Sequence, residues 1–239
     1  MKEKTIFKVI ESIYPHRCPG CDTVIAGNKA FCDRCGGDIL YVGGNFCMKC
    51  GKRMSVNSTN EFCGDCRRRK RLFDEGRGIY VYRGPLKMAM YRLKYSNRRC
   101  YARTFAREVV RCCGKWRGLK ELDGIIPVPM YRDKERARGY NQAEVLADAV
   151  GRILGIPVYK DYVARGRETA PQKNLDDEER RHNLKNAFII KQNSVKLNRI
   201  LIIDDIFTTG STMEEISRVC RKAGVSEIYC LCICTGQEV

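Results

Sequence analysis

Two adjacent carboxylates followed by small hydroxyl residues form the pattern in this chain that is best suited to chemistry. Asp204 and Asp205 follow the apolar run 200–203, and residues 208–212 read Thr-Thr-Gly-Ser-Thr. Small residues let backbone N–H groups turn toward an anion, and a helix expected at about 212–223 adds its positive end. The sequence therefore predicts a site for a monoester phosphate, with two acceptors beside it for the hydroxyl groups of a ribose.

The apolar run before the carboxylates indicates the element that must position them. Its β-branched and Leu residues are typical of a strand buried on both faces, as in a parallel sheet covered by helices. Open α/β sheets bind ligands at the carboxyl ends of such strands. An alternative is a buried strand leading into a capped helix, with both acids in the turn, although helix capping does not require two acids. No Gly-Lys-Ser/Thr follows, which excludes a P-loop.

This segment resembles the phosphoribosyl pyrophosphate (PRPP) motif of type I phosphoribosyltransferases, in which a strand and two acids precede Thr-Gly-X-Thr. The resemblance implies that the two acids, Asp204 and Asp205, are the catalytic candidates and that they hold the ribose edge. It also implies a loop for the 5-phosphate, formed by Thr208, Thr209, Gly210, Ser211 and Thr212.

Eight cysteines near the start of the chain form four Cys-x-x-Cys pairs. They are Cys18 and Cys21, Cys32 and Cys35, Cys47 and Cys50, and Cys63 and Cys66. Eight thiolates at this spacing predict two structural Cys₄ zinc sites. Spacing alone leaves open whether the pairs combine in chain order or crossed. Disulfides are the alternative, but seven further cysteines and the absence of a secretory signal after Met1 favour a reducing compartment.

The composition predicts a basic protein without a membrane-inserted segment. The formal net charge is +17, and two Cys₄ zinc sites of charge −2 each would leave it strongly positive. Polyanions, with nucleic acid first among them, are the expected partners. Alternatively, basic clusters such as 67–71 are solvated faces. No apolar run approaches the ~18 residues that cross a bilayer.

Hydrophobic periodicity and composition divide the chain into two predicted domains, 1–70 and 71–239. The first contains a helix over 1–15 and a double zinc ribbon, and the second is an α/β domain with a parallel sheet. Helices in the second domain are predicted over 86–95, 99–112 and 141–154. Its strands are predicted over 124–129, 157–164, 188–191, 199–204 and 227–234. Alternating Cys230, Cys232 and Cys234 share one face of the last strand, where core packing is the expected role.

Two polar segments complete the predicted site. The one after strand 124–129 supplies candidates for the pyrophosphate loop: Met130, Tyr131, Arg132 and Arg136. The other, over 164–188, suits either a mobile lid or an inert linker. Its candidate residues are Arg165, Arg167, Thr169, Gln172, Arg180 and Asn183.

Taken in order along the chain, these motifs resemble the ComF family of competence-associated proteins. The motifs that carry the resemblance are the double Cys-x-x-Cys ribbons, Pro-Val-Pro at 127–129, Arg-x-Arg-Gly-Tyr-Asn-Gln-Ala at 136–143, Arg-x-Thr-x-x-Gln-x-x-Leu at 167–175, and the PRPP motif. The resemblance implies a zinc ribbon before a phosphoribosyltransferase-type domain that binds PRPP with Mg²⁺. It further implies a cytoplasmic bacterial protein that handles single-stranded DNA in natural transformation, with a competence helicase as a candidate partner. The alternative is an active transferase that moves phosphoribose to an unidentified base or nucleic-acid acceptor.

Overall fold

A four-stranded parallel sheet, covered by helices on both faces, forms the centre of the molecule. The computed structural model describes residues 15–166, 184, 186–191 and 195–237. The strands are β1 (Glu75–Val81), β2 (Gly124–Pro127), β3 (Val163–Arg165), β4 (Phe188–Ile190), β5 (Arg199–Phe207) and β6 (Glu227–Thr235). The order in the main sheet is β1-β6-β5-β2, and every neighbouring pair is parallel. The parallel α/β sheet expected from the apolar runs is confirmed.

The four long helices of the described chain bury their apolar stripes on the two faces of this sheet, whereas the three short helices bury one side chain or none. The helices are α1 (Asp33–Gly37), α2 (Gly64–Arg68), α3 (Pro85–Tyr95), α4 (Tyr101–Cys113), α5 (Arg132–Arg138), α6 (Gln142–Leu154) and α7 (Ser211–Lys222), with a 3₁₀ turn at Arg117–Leu119. Along β5, Leu201 and Ile203 belong to the core under α3, α4 and α6. Ile200 and Ile202 belong to the opposite core, which includes residues of α7. Alternate residues of one strand thus enter two cores, because β5 is buried on both faces.

The predicted strand over 157–164 is wrong in extent and in partner. Val158 forms only an isolated parallel bridge with Ile125, and the chain then turns at 160–161. Residues beyond the turn form β3, which pairs antiparallel with β4 in a separate ribbon. The polar Lys160 and Asp161 interrupt the run, since they pair outward with Asp148 and Lys191.

A second difference concerns the segment after β2, which we expected to be a loop. It contains the short helix α5, which ends at Gly139 in the left-handed conformation (φ +81°). Glycine is favoured there because it adopts positive φ without a Cβ clash.

Some expectations lie outside the described residues. These include almost all of the helix predicted over 1–15, and the segment candidates Arg167, Thr169, Gln172, Arg180 and Asn183. In the part of the chain that is described, no helix combines the length and the apolar character needed to cross a membrane.

Candidate functional site

The two acids lie near the carboxyl end of β5, at the edge of the sheet where the strand leads to α7. Asp205 is 4% exposed, and its Oδ2 lies 2.5 Å from Nζ of Lys94, which comes from the end of α3. The backbone N–H of Asp205 donates to Oδ1 of Asp204 at 2.8 Å. The structure thus combines the predicted carboxylates with a lysine more than one hundred residues earlier in the chain.

Burial and this lysine separate the pKa values of the two acids. Burial by itself raises the pKa of both carboxyl groups, but the Lys94 ammonium reverses the direction for Asp205, whose pKa is lowered. The pKa of Asp204 is raised, first by burial and then by the negative charge of Asp205. Asp205 therefore carries the more stable negative charge of the pair, and Asp204 takes up a proton first as the pH falls.

The loop 208–212 follows β5 and leads directly into α7. Gly210 has φ +82°, and a Cβ at this position would lie 2.5 Å from the Phe207 ring. Only glycine therefore fits the turn. The hydroxyl groups of Thr209 and Ser211 lie 2.8 Å apart, and α7 begins at Ser211 with its unpaired N–H groups facing this loop. This geometry suits an anion at the helix end.

A buried arginine connects the loop to the second group of cysteines. Arg71 is 7% exposed and donates from Nη2 to the backbone carbonyl of Thr209 at 3.0 Å. Burial by itself would lower the pKa of its guanidinium, but a hydrogen bond to the Cys66 sulfur raises it, with a smaller contribution from Glu214. The last residue of the basic cluster 67–71 is therefore an internal contact and not a solvated charge.

One cavity of about 450 Å³ contains much of the predicted site. The predicted residues among those that line it are Met130, Arg165, Asp204, Asp205 and the loop 208–212. An adjacent cavity of about 590 Å³ is lined by Tyr131, Arg132 and Arg136, and it shares Met130 and Arg165 with the first. The acidic pair and the phosphate loop thus face one space, and the predicted pyrophosphate arginines border the next.

The eight cysteines form two clusters, in chain order. Cys18, Cys21, Cys32 and Cys35 form one, and Cys47, Cys50, Cys63 and Cys66 form the other, with all sulfurs of a cluster within 4.8 Å of one another. The Sγ atoms of Cys21 and Cys32 lie 3.6 Å apart, and those of Cys50 and Cys63 lie 3.7 Å apart. A tetrahedral zinc with Zn–S bonds of about 2.3 Å would set such edges at about 3.8 Å. Both clusters therefore fit zinc. The Cys-x-x-Cys pairs combine in chain order, the first with the second and the third with the fourth.

Two family models match the chain, one for each half of this arrangement. The double zinc ribbon domain matches residues 9–67, and the phosphoribosyl transferase domain matches residues 138–238. The chain is also 35% identical over 216 residues to Competence protein F of Haemophilus influenzae, and the aligned part covers 88% of this chain and 86% of the relative. The chain belongs to the ComF family.

Other ComF-family relatives carry different names. DNA utilization protein YhgH of Escherichia coli K12 is 30% identical over 192 residues, which cover 79% of this chain and 83% of the relative. Competence protein ComFC of Bacillus subtilis is 26% identical over 200 residues, which cover 82% and 80%. Similarity thus extends over most of each protein.

Two residues that contact the site of this ComF-family chain were not predicted from the sequence. Lys94 lies four residues after the buried Met90, where the apolar stripe of α3 would continue, and a charge on such a stripe is a detectable signal. Arg71 has no such signal, because it is the last of five consecutive basic residues and nothing in their order separates it from the exposed ones.

Proposed function

We propose that this ComF-family protein binds PRPP, with Mg²⁺, at the acidic pair and the phosphate loop. One observation carries the proposal: a single cavity is lined by both Asp204 and Asp205 and by the whole loop 208–212. The loop amides and the end of α7 would hold the 5-phosphate. The two carboxylates would accept hydrogen bonds from the ribose hydroxyls, with Asp205 kept ionised by Lys94.

The positive side chains around the second cavity are suited to the pyrophosphate group of the same ligand. Arg132 and Arg136 border that cavity, and Arg165 lines both. Mg²⁺, when bound, would neutralise part of the pyrophosphate charge while keeping much of its water shell. Of the segment candidates, Arg167, Thr169, Gln172, Arg180 and Asn183 remain predictions for the same ligand.

The wider role that we propose is handling of incoming single-stranded DNA in natural transformation, in the cytoplasm and together with a competence helicase. Its support is the net charge of +17 and the names of the relatives, two of which are competence proteins and one a DNA utilization protein. In this proposal a zinc-ribbon unit, residues 1–70, precedes a PRPP-binding unit, residues 71–239. In this role the PRPP site would act as a sensor, so that PRPP binding signals the nucleotide supply of the cell to a protein that handles DNA.

An active transferase is the second candidate, and the Lys94–Asp205 pair favours it. In such a reaction the bond from C1 of the ribose to pyrophosphate breaks, and a nitrogen or oxygen of the acceptor forms a new bond to C1. Pyrophosphate leaves with the bonding electrons, and the acceptor loses a proton. A carboxylate held ionised beside the sugar would stabilise positive charge developing on the ring.

The ribose role is tested by replacing Asp205 with Asn, which keeps the size of the side chain and removes its charge. We expect Mg²⁺-dependent PRPP affinity to fall more than tenfold, because a charge-assisted hydrogen bond contributes about 1.5–3 kcal/mol. Isothermal titration calorimetry gives the affinity, and Asp38→Asn, at an exposed carboxylate that lines neither cavity, is the control. Equal PRPP affinity in wild type and Asp205→Asn would end the ribose role.

The DNA role is tested by titrating a labelled single strand at several salt concentrations, with and without Mg·PRPP. The logarithm of the affinity should fall linearly with the logarithm of salt, by about 0.7 per phosphate neutralised. Binding should vary little with base sequence, since backbone charge dominates. No measurable affinity at ~0.15 M salt, together with pyrophosphate release when a base is supplied, would replace this role with the transferase.

A further inference from the structure

Helix α3 presents aromatic and apolar side chains to solvent along one face. Met88, Tyr91 and Tyr95 are 46%, 54% and 65% exposed, and their spacing of three and four residues places them side by side. The Tyr91 and Tyr95 ring centroids lie 5.1 Å apart with a 48° angle between the planes. The opposite face of α3 is buried in the core, so burial does not explain these rings. Exposed aromatic rings grouped in this way are typical of interaction surfaces.

The charge around this face defines the chemistry of its partner. Residues 77–107, which include α3 and most of α4, contain nine Lys and Arg residues and no Asp or Glu. Arg138, at the end of α5, places its guanidinium 5.0 Å from the centre of the Tyr95 ring. Flat aromatic faces within a positive surface are complementary to a polyanion that carries exposed aromatic rings.

The candidate PRPP cavity lies next to this face. Lys94, on the buried side of α3, lines that cavity, as does Tyr82, which is 36% exposed. Arg138 donates a hydrogen bond to Oε1 of Gln142, and Gln142 also lines the cavity. A chain lying over Tyr91 and Tyr95 would therefore pass the entrance of the sugar site.

We propose that Tyr91, Tyr95 and Arg138 form a stacking platform for the bases of single-stranded DNA, beside the PRPP site. This rests on the proposed DNA role and adds the surface that performs it. The bases of a duplex already stack on each other, whereas those of a single strand are free to stack on protein rings. Stacking tolerates every base, because each has a π face. The platform thus binds DNA by its bases, and the basic residues around it bind the backbone.

The test uses the full-length zinc-loaded protein, a labelled oligothymidylate and an abasic strand of the same length. We expect the double variant Tyr91→Ala/Tyr95→Ala to bind oligothymidylate at least tenfold more weakly, because both rings on which bases stack are removed. Tyr91→Phe/Tyr95→Phe should bind as wild type does, because both rings remain. The abasic strand should bind wild type and the alanine variant equally, and Mg·PRPP affinity should not change.

Two controls separate stacking from other effects. Phe62→Ala removes an aromatic ring that is 40% exposed on the zinc module, and it should leave DNA binding unchanged. The slope of affinity against salt should be the same in wild type and the alanine variant, because neither substitution removes a charge.

The outcomes distinguish this inference from the proposed function. If wild type and the alanine variant bind oligothymidylate with equal affinity, the platform is overturned and the DNA role is unaffected. The face of α3 would then be a surface for a protein partner. A wild-type protein with no affinity for any single strand would overturn the DNA role and the platform together.

Discussion

Removal of zinc is expected to destabilise the whole molecule and to abolish PRPP binding. Cys47, Cys50 and Cys63 are buried in the same core as Phe73 and Phe207, the residue that precedes the phosphate loop. A structural zinc site contributes about 10–16 kcal/mol in isolated zinc fingers, whereas a whole domain has a stability of about 5–15 kcal/mol. The core under the loop therefore depends on metal that is bound outside the α/β sheet.

The measurement compares protein before and after chelation under reducing conditions. Elemental analysis should give two zinc ions per chain before treatment. Urea unfolding should then show a large loss of stability, and calorimetry should show no PRPP binding by the zinc-free protein. Readdition of zinc should restore both. A zinc-free protein that binds Mg·PRPP with unchanged affinity would contradict this expectation.

The two zinc clusters should differ in their effect on PRPP. Arg71 donates to the Thr209 carbonyl, and the Cys66 sulfur raises the pKa of its guanidinium, so one side chain couples the second cluster to the phosphate loop. Cys18 and Cys35, in the first cluster, pack in the other core, with residues of α3 and α4. Cys66→Ser should therefore weaken PRPP binding more than Cys21→Ser, a substitution of equal chemistry at a half-buried ligand of the first cluster.

Replacing Lys94 with Met is expected to destabilise the fold by about 3 kcal/mol at pH 7. The Asp205 carboxylate would remain buried without its partner, and breaking a buried ion pair from one side costs about 3–5 kcal/mol. Because the Lys94 side chain is 22% exposed, we expect the lower end of that range. Urea unfolding gives the value, and Lys87→Met, at an exposed position of the same helix, should change stability by less than about 0.5 kcal/mol.

The pH dependence of this loss follows from the pKa of Asp205. In wild type the lowered pKa stabilises the fold above the unfolded value of about 3.9, and this contribution is lost as the pH falls through the folded pKa. Without Lys94, burial raises the pKa, so the ionised form destabilises the variant at neutral pH. The difference between the proteins should therefore shrink toward pH 4. Adding Asp205→Asn to Lys94→Met should recover part of the lost stability, because the buried charge is removed. If Lys94→Met lowers the free energy of unfolding equally at pH 7 and at pH 4, the ion-pair account is contradicted.

The parts of this structure that depend on local sequence could be predicted from it. The eight zinc-ligand candidates follow from Cys-x-x-Cys spacing, since each pair forms its own short turn, whereas their grouping in chain order comes from the structure. The strand, acids and loop of β5 are consecutive, so one stretch of sequence contains the element and the ligand-facing residues that it positions. In this segment the hydrophobic pattern and the turn residues predict the same structure, a buried strand followed by a tight loop.

Contacts between distant parts of the chain could not be predicted in this way. Lys94 approaches Asp205 only because α3 packs over the end of β5. No sequence pattern in either segment indicates that the two residues are in contact. Arg71 became buried because the second ribbon folds against the phosphate loop. The predicted strand over 157–164 was wrong because two polar residues at its centre find ion-pair partners outside it, and tertiary contacts there outweigh strand propensity.

The order β1-β6-β5-β2 also determines when during synthesis the site can form. On the ribosome, β1 and β2 emerge early, but they are not neighbours, and the strand that each pairs with in the sheet comes from the last part of the described chain. The ribbons have short-range contacts and can close around metal as soon as they emerge, whereas the sheet must wait for residues 199–235. Pairing across such long separations is slow and leaves strand edges open in the meantime. A nascent chain stalled before β5 would therefore hold zinc, with one edge of β1 bonded to residues 40–42 of the ribbon module, and yet leave the opposite edge of β1 unpaired, which is the kind of surface that chaperones bind.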